Sequence, residues 1–219
     1  MVDLVAVYAI GLPALGALVA VATGGLSWRS ATRGLDSATR RRMVARLLVF
    51  CEIPGLTVLF GVALYFMILG RSAELPATQL EWAALTVGIP GMLAGFAYAI
   101  VFLRGVAHSV AVPADFGRVV VLATLPETVA MFGFSIGFLI LGQAAAGSVS
   151  VADVVEASRL ASLYMIAGSL FAPVEAYAMV THWKFESQRR WSRSIVVGAV
   201  LEIPVLVTFA LSFLSLVRA

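Results

Sequence analysis

Four glutamates stand inside otherwise uncharged apolar runs: Glu52, Glu127, Glu175 and Glu202. A charge at the centre of a bilayer costs at least roughly 2.5–3.5 kcal/mol. No Lys or Arg is placed along the chain to neutralise these four. Such carboxyls are protonated much of the time or hold a cation, so they can load and unload a proton. Three of them sit beside a proline. In Glu52-Ile53-Pro54 and Glu202-Ile203-Pro204 the carboxylate lies two residues before it, and in Pro126-Glu127 one residue after. That three-residue shift is about 4.5 Å along a helix axis and about 60° short of a full turn. A proline removes one backbone hydrogen bond and kinks the helix, and the loosened turn can lend the carboxyl a carbonyl partner. Glu175 and Glu202 each lie about eight residues from a basic loop, so they sit at similar depth. If their faces meet, they share a proton and titrate as a coupled pair. Otherwise Glu175 faces water or pairs with Tyr177 or His182. His108 and His182 lie in or near basic loops and read as solvated.

The elements that carry these residues follow from composition. Apolar residues make up 61% of the 219 positions and charged residues 12%. A soluble domain has about 45–50% and about 25%. The mean hydropathy is +1.01. Such a chain cannot keep a wet exterior, and disorder, collagen and a disulfide scaffold are excluded as well. Cys51 is the single cysteine, so no intramolecular bridge forms. Crossing a bilayer takes about 20 apolar residues. Six runs qualify: Leu4–Trp28, Leu47–Gly70, Trp82–Leu103, Val119–Gly142, Leu160–Trp183 and Ser194–Val217. None alternates with period 2, so they read as helices and not as barrel strands. The expected class is an all-α integral membrane protein with six transmembrane helices. The first run lacks a basic segment before it and reads as a retained helix.

Twelve of the 15 basic residues fall in three loops: Arg29, Arg33, Arg40, Arg41, Arg42 and Arg46; Arg104 and Arg118; Lys184, Arg189, Arg190 and Arg193. The opposite loops and the termini hold Arg71, Arg159 and Arg218 with Asp3, Glu74, Glu81, Asp153 and Glu156. The positive-inside rule places the basic loops in the cytoplasm and both termini outside. The net charge of +3 therefore reflects topology, and no nucleic-acid partner is expected.

The runs repeat. With an offset of 72, Leu47–Gly70 matches Val119–Gly142 at eight of 24 positions, including Pro54 with Pro126, Phe60-Gly61 with Phe132-Gly133, and Ile68-Leu69-Gly70 with Ile140-Leu141-Gly142. The odd runs echo each other more faintly, through Gly11-Leu12-Pro13 and Gly88-Ile89-Pro90. The expected unit is a helical hairpin present three times, over residues 1–72, 73–147 and 148–219. Two helices per unit preserve orientation, so the hairpins are parallel and can tile into a closed ring. Small residues four apart in the odd runs suit close helix packing: Gly16, Ala20 and Gly24; Gly91, Gly95 and Ala99; Gly168, Ala172 and Ala176.

Asp115-Phe116-Gly117-Arg118, then Leu125-Pro126-Glu127-Thr128, Phe132-Gly133 and Phe138-Leu139-Ile140-Leu141 resemble the second helix of the proteolipid (c or K) subunit of archaeal and vacuolar-type rotary ATPases. The likeness is close over about 30 residues of the middle hairpin. It implies a triplicated rotor subunit in which Glu127 is the proton-binding carboxylate, Pro126 and Thr128 support it, and Pro54 and Pro204 support Glu52 and Glu202 as displaced counterparts. Glu175 is a further candidate. Gly55 and Val205 stand at the positions equivalent to Glu127. The family often has Gln and then Tyr where this chain has Val129 and Phe132. Losing those oxygen ligands favours H⁺ over Na⁺, and no cofactor is expected. The implied partners are further copies in a ring, a stator subunit bearing an Arg, central-stalk subunits at the basic loops, and lipid. The chain has no nucleotide loop of the Gly-Lys-Ser/Thr kind, so ATP chemistry belongs to other subunits. The rival readings are a proton-coupled secondary transporter and a non-transporting or specialised ring scaffold.

Overall fold

A computed structural model of the chain describes residues 2–143, 149–183 and 188–217, without the side chains of Val2, Asp3, Arg42, Gln188 and Arg189. Lys184, Arg218 and the 147/148 hairpin boundary lie outside the described residues. These residues form helices and short connections, with no strand among them. Six helices are long and apolar enough to cross a membrane: α1 Leu4–Ala31, α2 Ser37–Arg71, α3 Ala77–Ala111, α4 Pro113–Gly142, α5 Val151–Trp183 and α6 Arg190–Val217. The chain is an integral, multi-pass membrane protein.

Several helices outrun their apolar cores. α2 begins ten residues before Leu47, through an Arg-rich segment. Arg is a good helix former, and Asp36 caps the start by accepting from the amides of Ala38 and Thr39, both at 2.9 Å. Hydrogen bonds from Thr39 hold the Asp36 carboxyl below its ordinary value. At α5, Ser150 and Asp153 form a reciprocal capping box.

The helices pack in two rows. α3 is the most buried, and it touches α1, α2, α4 and α5. α1, α3 and α5 form one row. α2, α4 and α6 form the other, with α4 between its two neighbours. Contacts along each row join residues about one repeat apart. Gly16 meets Gly95, and Gly24 meets Phe102. Thr86 bonds Ser162, and His108 meets Trp183 edge-on. Phe60 stacks on Phe134, and Phe132 on Phe209. Successive helices of a row therefore run the same way. Contacts between rows run in reverse order: Gln79 reaches Ile140, Thr86 faces Gly133, and Gly105 faces Val119.

Glycines set the spacing. A Cβ on Gly95 would collide with the backbone of Gly16, and one on Gly16 with Met92. A Cβ on Gly88 would strike the Tyr8 carbonyl, and one on Gly61 the Ala9 carbonyl. Both carbonyls belong to a π-helical turn, Val7–Gly11. The small-residue stripes of α1, α3 and α5 are all buried.

Both ends of the α3–α4 pair are tied. At one end Gln79 Nε2 donates to the carbonyls of Ile140 and Gln143, at 2.7 and 3.0 Å. At the Arg-rich end His108 pairs with Asp115 at 2.8 Å, and Asp115 also takes Arg118. Arg118 lies over the Trp191 ring, and Arg46 over Phe116. This corrects the expectation of a solvated His108, whose side chain is only 13% exposed. His182 is exposed.

Gly95→Val should separate α1 from α3 and lower the thermal unfolding temperature in detergent, at a cost of about 1–3 kcal/mol or more. Gly25→Ala, with nothing within 4 Å of its new Cβ and a better helix former in place of Gly, should not lower that temperature.

Candidate functional site

Glu127 sits where α4 changes course. The helix runs from Phe116 to Thr124, turns at Leu125 and Pro126, and restarts at Glu127. Pro126 has no amide hydrogen to continue the ladder. In α2 and α6 the helix continues through Pro54 and Pro204, so the three prolines act differently. Glu127 is buried, at 9% exposure. On the facing helix, Tyr98 lies within electrostatic reach of Glu127. Tyr98 is fully buried, and its hydroxyl has no hydrogen-bond partner among the described residues.

A second break lies in α5. Its helix runs from Val151 to Ser169, turns at Leu170, and continues from Phe171 to Trp183. Pro173 follows the turn and deprives the Ser169 carbonyl of its usual amide. Glu175 comes two residues later. It is completely buried, and neither carboxyl oxygen has a hydrogen-bond partner among the described residues. Its Oε1 lies against Gly198 of α6, 3.2 Å from where a Cβ would stand. Glu202 is one turn further along α6, on the face that carries Gly198. The two carboxyl groups are within electrostatic reach of each other. The alternative partners Tyr177 and His182 are both exposed, so Glu175 faces neither water nor those two.

Glu202 is half-buried and reaches α4. Thr128 Oγ1 lies 2.5 Å from its Oε1 and 2.9 Å from the Leu125 carbonyl. One hydroxyl hydrogen serves one acceptor at a time. With Glu202 ionised, Thr128 donates to it and releases Leu125. With Glu202 protonated, Glu202 donates to Thr128, which donates to Leu125. Both distances are satisfied together in the protonated arrangement.

The fold thus brings together Thr128 from α4, Glu175 from α5 and Glu202 from α6, while Glu127, next to Thr128 in the chain, faces Tyr98 of α3. Glu52 is outside this group, exposed on the free face of α2. There Thr57 Oγ1 donates to the Pro54 carbonyl at 2.8 Å. In α6 Thr208 makes the corresponding bond to Val205 at 2.9 Å. Three residues escaped sequence reasoning. Pro173 carried a readable signal, since it repeats the pairing of a proline with a nearby glutamate. Tyr98 and Gly198 carried none, because their importance comes from what they face.

Comparison with known families places residues 82–140 under the model of the ATP synthase c-subunit family. The matched stretch covers most of α3 and α4, including Tyr98, Pro126, Glu127 and Thr128. No curated protein matches the chain significantly.

Thr128→Val should break the α4–α6 bond and leave Glu202 short of a partner. The expected loss is about 1–3 kcal/mol of unfolding free energy, read by denaturation in detergent. Thr128→Ser should retain it, and equal stability of the two variants would show that the bond contributes nothing.

Proposed function

We propose that this chain is a membrane rotor subunit of an archaeal or vacuolar-type rotary ATPase or ATP synthase, with protons borne on intramembrane glutamates as a ring of copies turns. The observation that carries the reading is Glu127. It is a buried carboxyl at a proline break, within the segment that matches the ATP synthase c-subunit family. Three parallel hairpins, 1–72, 73–147 and 148–219, fit the order of contacts along the two rows. In that arrangement α1, α3 and α5 form the inner layer of the ring and α2, α4 and α6 the outer one. Exposed apolar faces on α2 (Leu56, Leu59 and Phe66) and on α6 (Ile203, Leu206 and Val207) are the edges at which further copies join. Glu52 then lies at the junction between copies.

In this mechanism a carboxyl takes a proton from an access channel in a stator subunit. Neutral, it crosses the lipid-facing arc at low cost. At the exit channel a stator Arg draws the proton off by stabilising the carboxylate. Moving one charge across 100 mV is worth about 2.3 kcal/mol, so the number of working carboxyls sets the protons moved per ATP. Glu127 is the principal carrier, with Glu52 and Glu202 as displaced ones. Pro126 and Thr128, and likewise Pro54 and Pro204, shape their surroundings. The ion is H⁺, because Val129 and Phe132 offer Na⁺ no oxygen. The Arg-rich loops face the cytoplasm and dock on the central stalk, with both termini on the outer side. ATP chemistry resides in other subunits.

Dicyclohexylcarbodiimide attacks protonated carboxyls in apolar surroundings. Mass mapping of treated membranes should find Glu127 modified, with no protection by Na⁺, and Glu127→Gln should abolish that adduct. Labels at Glu52 or Glu202 would count the additional carriers. Protection by Na⁺ would overturn the ion assignment. Absence of any adduct on Glu52, Glu127 and Glu202 would overturn the carrier role.

A further inference from the structure

Glu175 is the buried group that the rotor mechanism leaves unused. A fully buried carboxyl whose two oxygens lack partners is costly in any state and most costly when charged. It stands against the one place on α6 where no side chain intervenes, Gly198. One turn further is Glu202, whose other flank is held by Thr128. α5 packs against α3, α4 and α6. The ionisable groups within the apolar runs of these helices are Tyr98, Glu127 and Glu202, and none of them is cationic.

We propose that Glu175 and Glu202 form one proton site, in which Glu202 exchanges the proton while Glu175 stays protonated and donates a hydrogen bond to Glu202 whenever Glu202 is discharged. On discharge the O–H bond of Glu202 breaks, its electron pair stays on the carboxylate, and the proton leaves. The Glu175 O–H is unchanged throughout. The discharged carboxylate then accepts from Thr128 on one side and from Glu175 on the other, so the charge is shared by two donors in a site with no cation. Glu175 is a positioning residue, and the third hairpin carries one proton and not two. The inference refines the rotor reading, yet the site can be examined in the isolated chain.

The test is pH-difference infrared spectroscopy of the purified full-length chain in detergent, which separates protonated carboxyls from carboxylates without a working rotor. Glu202→Gln should remove one carboxyl-to-carboxylate transition. Glu175→Gln keeps a donor at the same place and should leave that transition where it was. Glu175→Ala removes the donor, and Gly198→Ala crowds it away; each should displace the Glu202 transition. Glu175→Ala in the Glu202→Gln background should have no further effect on the transitions. Loss of a transition in Glu175→Gln would show that Glu175 itself exchanges and would overturn the proposal. So would a Glu202 transition unmoved by both Glu175→Ala and Gly198→Ala. Failure of the rotor reading would appear separately, as absence of carbodiimide adducts on the carrier glutamates, with these spectra unaffected.

Discussion

The close approach of backbones around α3 is the constraint on which the other contacts depend. Inside a bilayer the surrounding lipid is as apolar as the side chains, so helices gain little from hiding leucines from it. Association rests on dispersion at short range and on hydrogen bonds. Gly16 against Gly95, Gly88 against the Tyr8 carbonyl and Gly133 against Thr86 bring three helices within backbone contact. Once α3 is seated, the levels of α1 and α4 along it are set to within a residue. The Thr86–Ser162 bond does the same for α5. The depths of Glu127 and Glu175 follow from that registration.

The buried carboxyls oppose this packing. Each must be neutral or well supplied with donors, and the interior supplies few. The chain meets the difficulty by breaking α4 and α5 next to their glutamates, at Pro126 and near Pro173. Glu202 has no such break, since α6 runs straight through Pro204. It obtains its partner from a neighbouring helix through Thr128. The same side chain type is thus accommodated by two different devices.

The polar clusters at the ends of the bundle carry more hydrogen bonds and ion pairs, although the buried Trp191 Nε1 finds no hydrogen-bond partner among the described residues. Gln79 satisfies two carbonyls at the close of α4. Asp115 gathers His108 and Arg118, and the latter extends to Trp191 of α6. The ends hold the helices while the middle keeps unpaired polar atoms at Tyr98 and Glu175.

Run length and composition by themselves determined that this is a six-helix membrane protein, because hydrocarbon thickness demands about 20 apolar residues per crossing. They also determined which residues could do chemistry, since a glutamate within such a run is expensive enough to need a reason. The Leu-Pro-Glu-Thr segment and the recurring Glu-Ile-Pro were legible in the same way. Facing was not legible. Each residue turns a helix side chain by about 100°, so a proline break or a two-residue shift in level decides whether two carboxyls meet. Only the tertiary structure left Glu52 on an open face and closed Glu175 against Gly198. It also set Tyr98 opposite Glu127 and turned His108 inward to Asp115. Depth can be counted along one chain segment, whereas orientation depends on where the neighbouring helix presents a glycine.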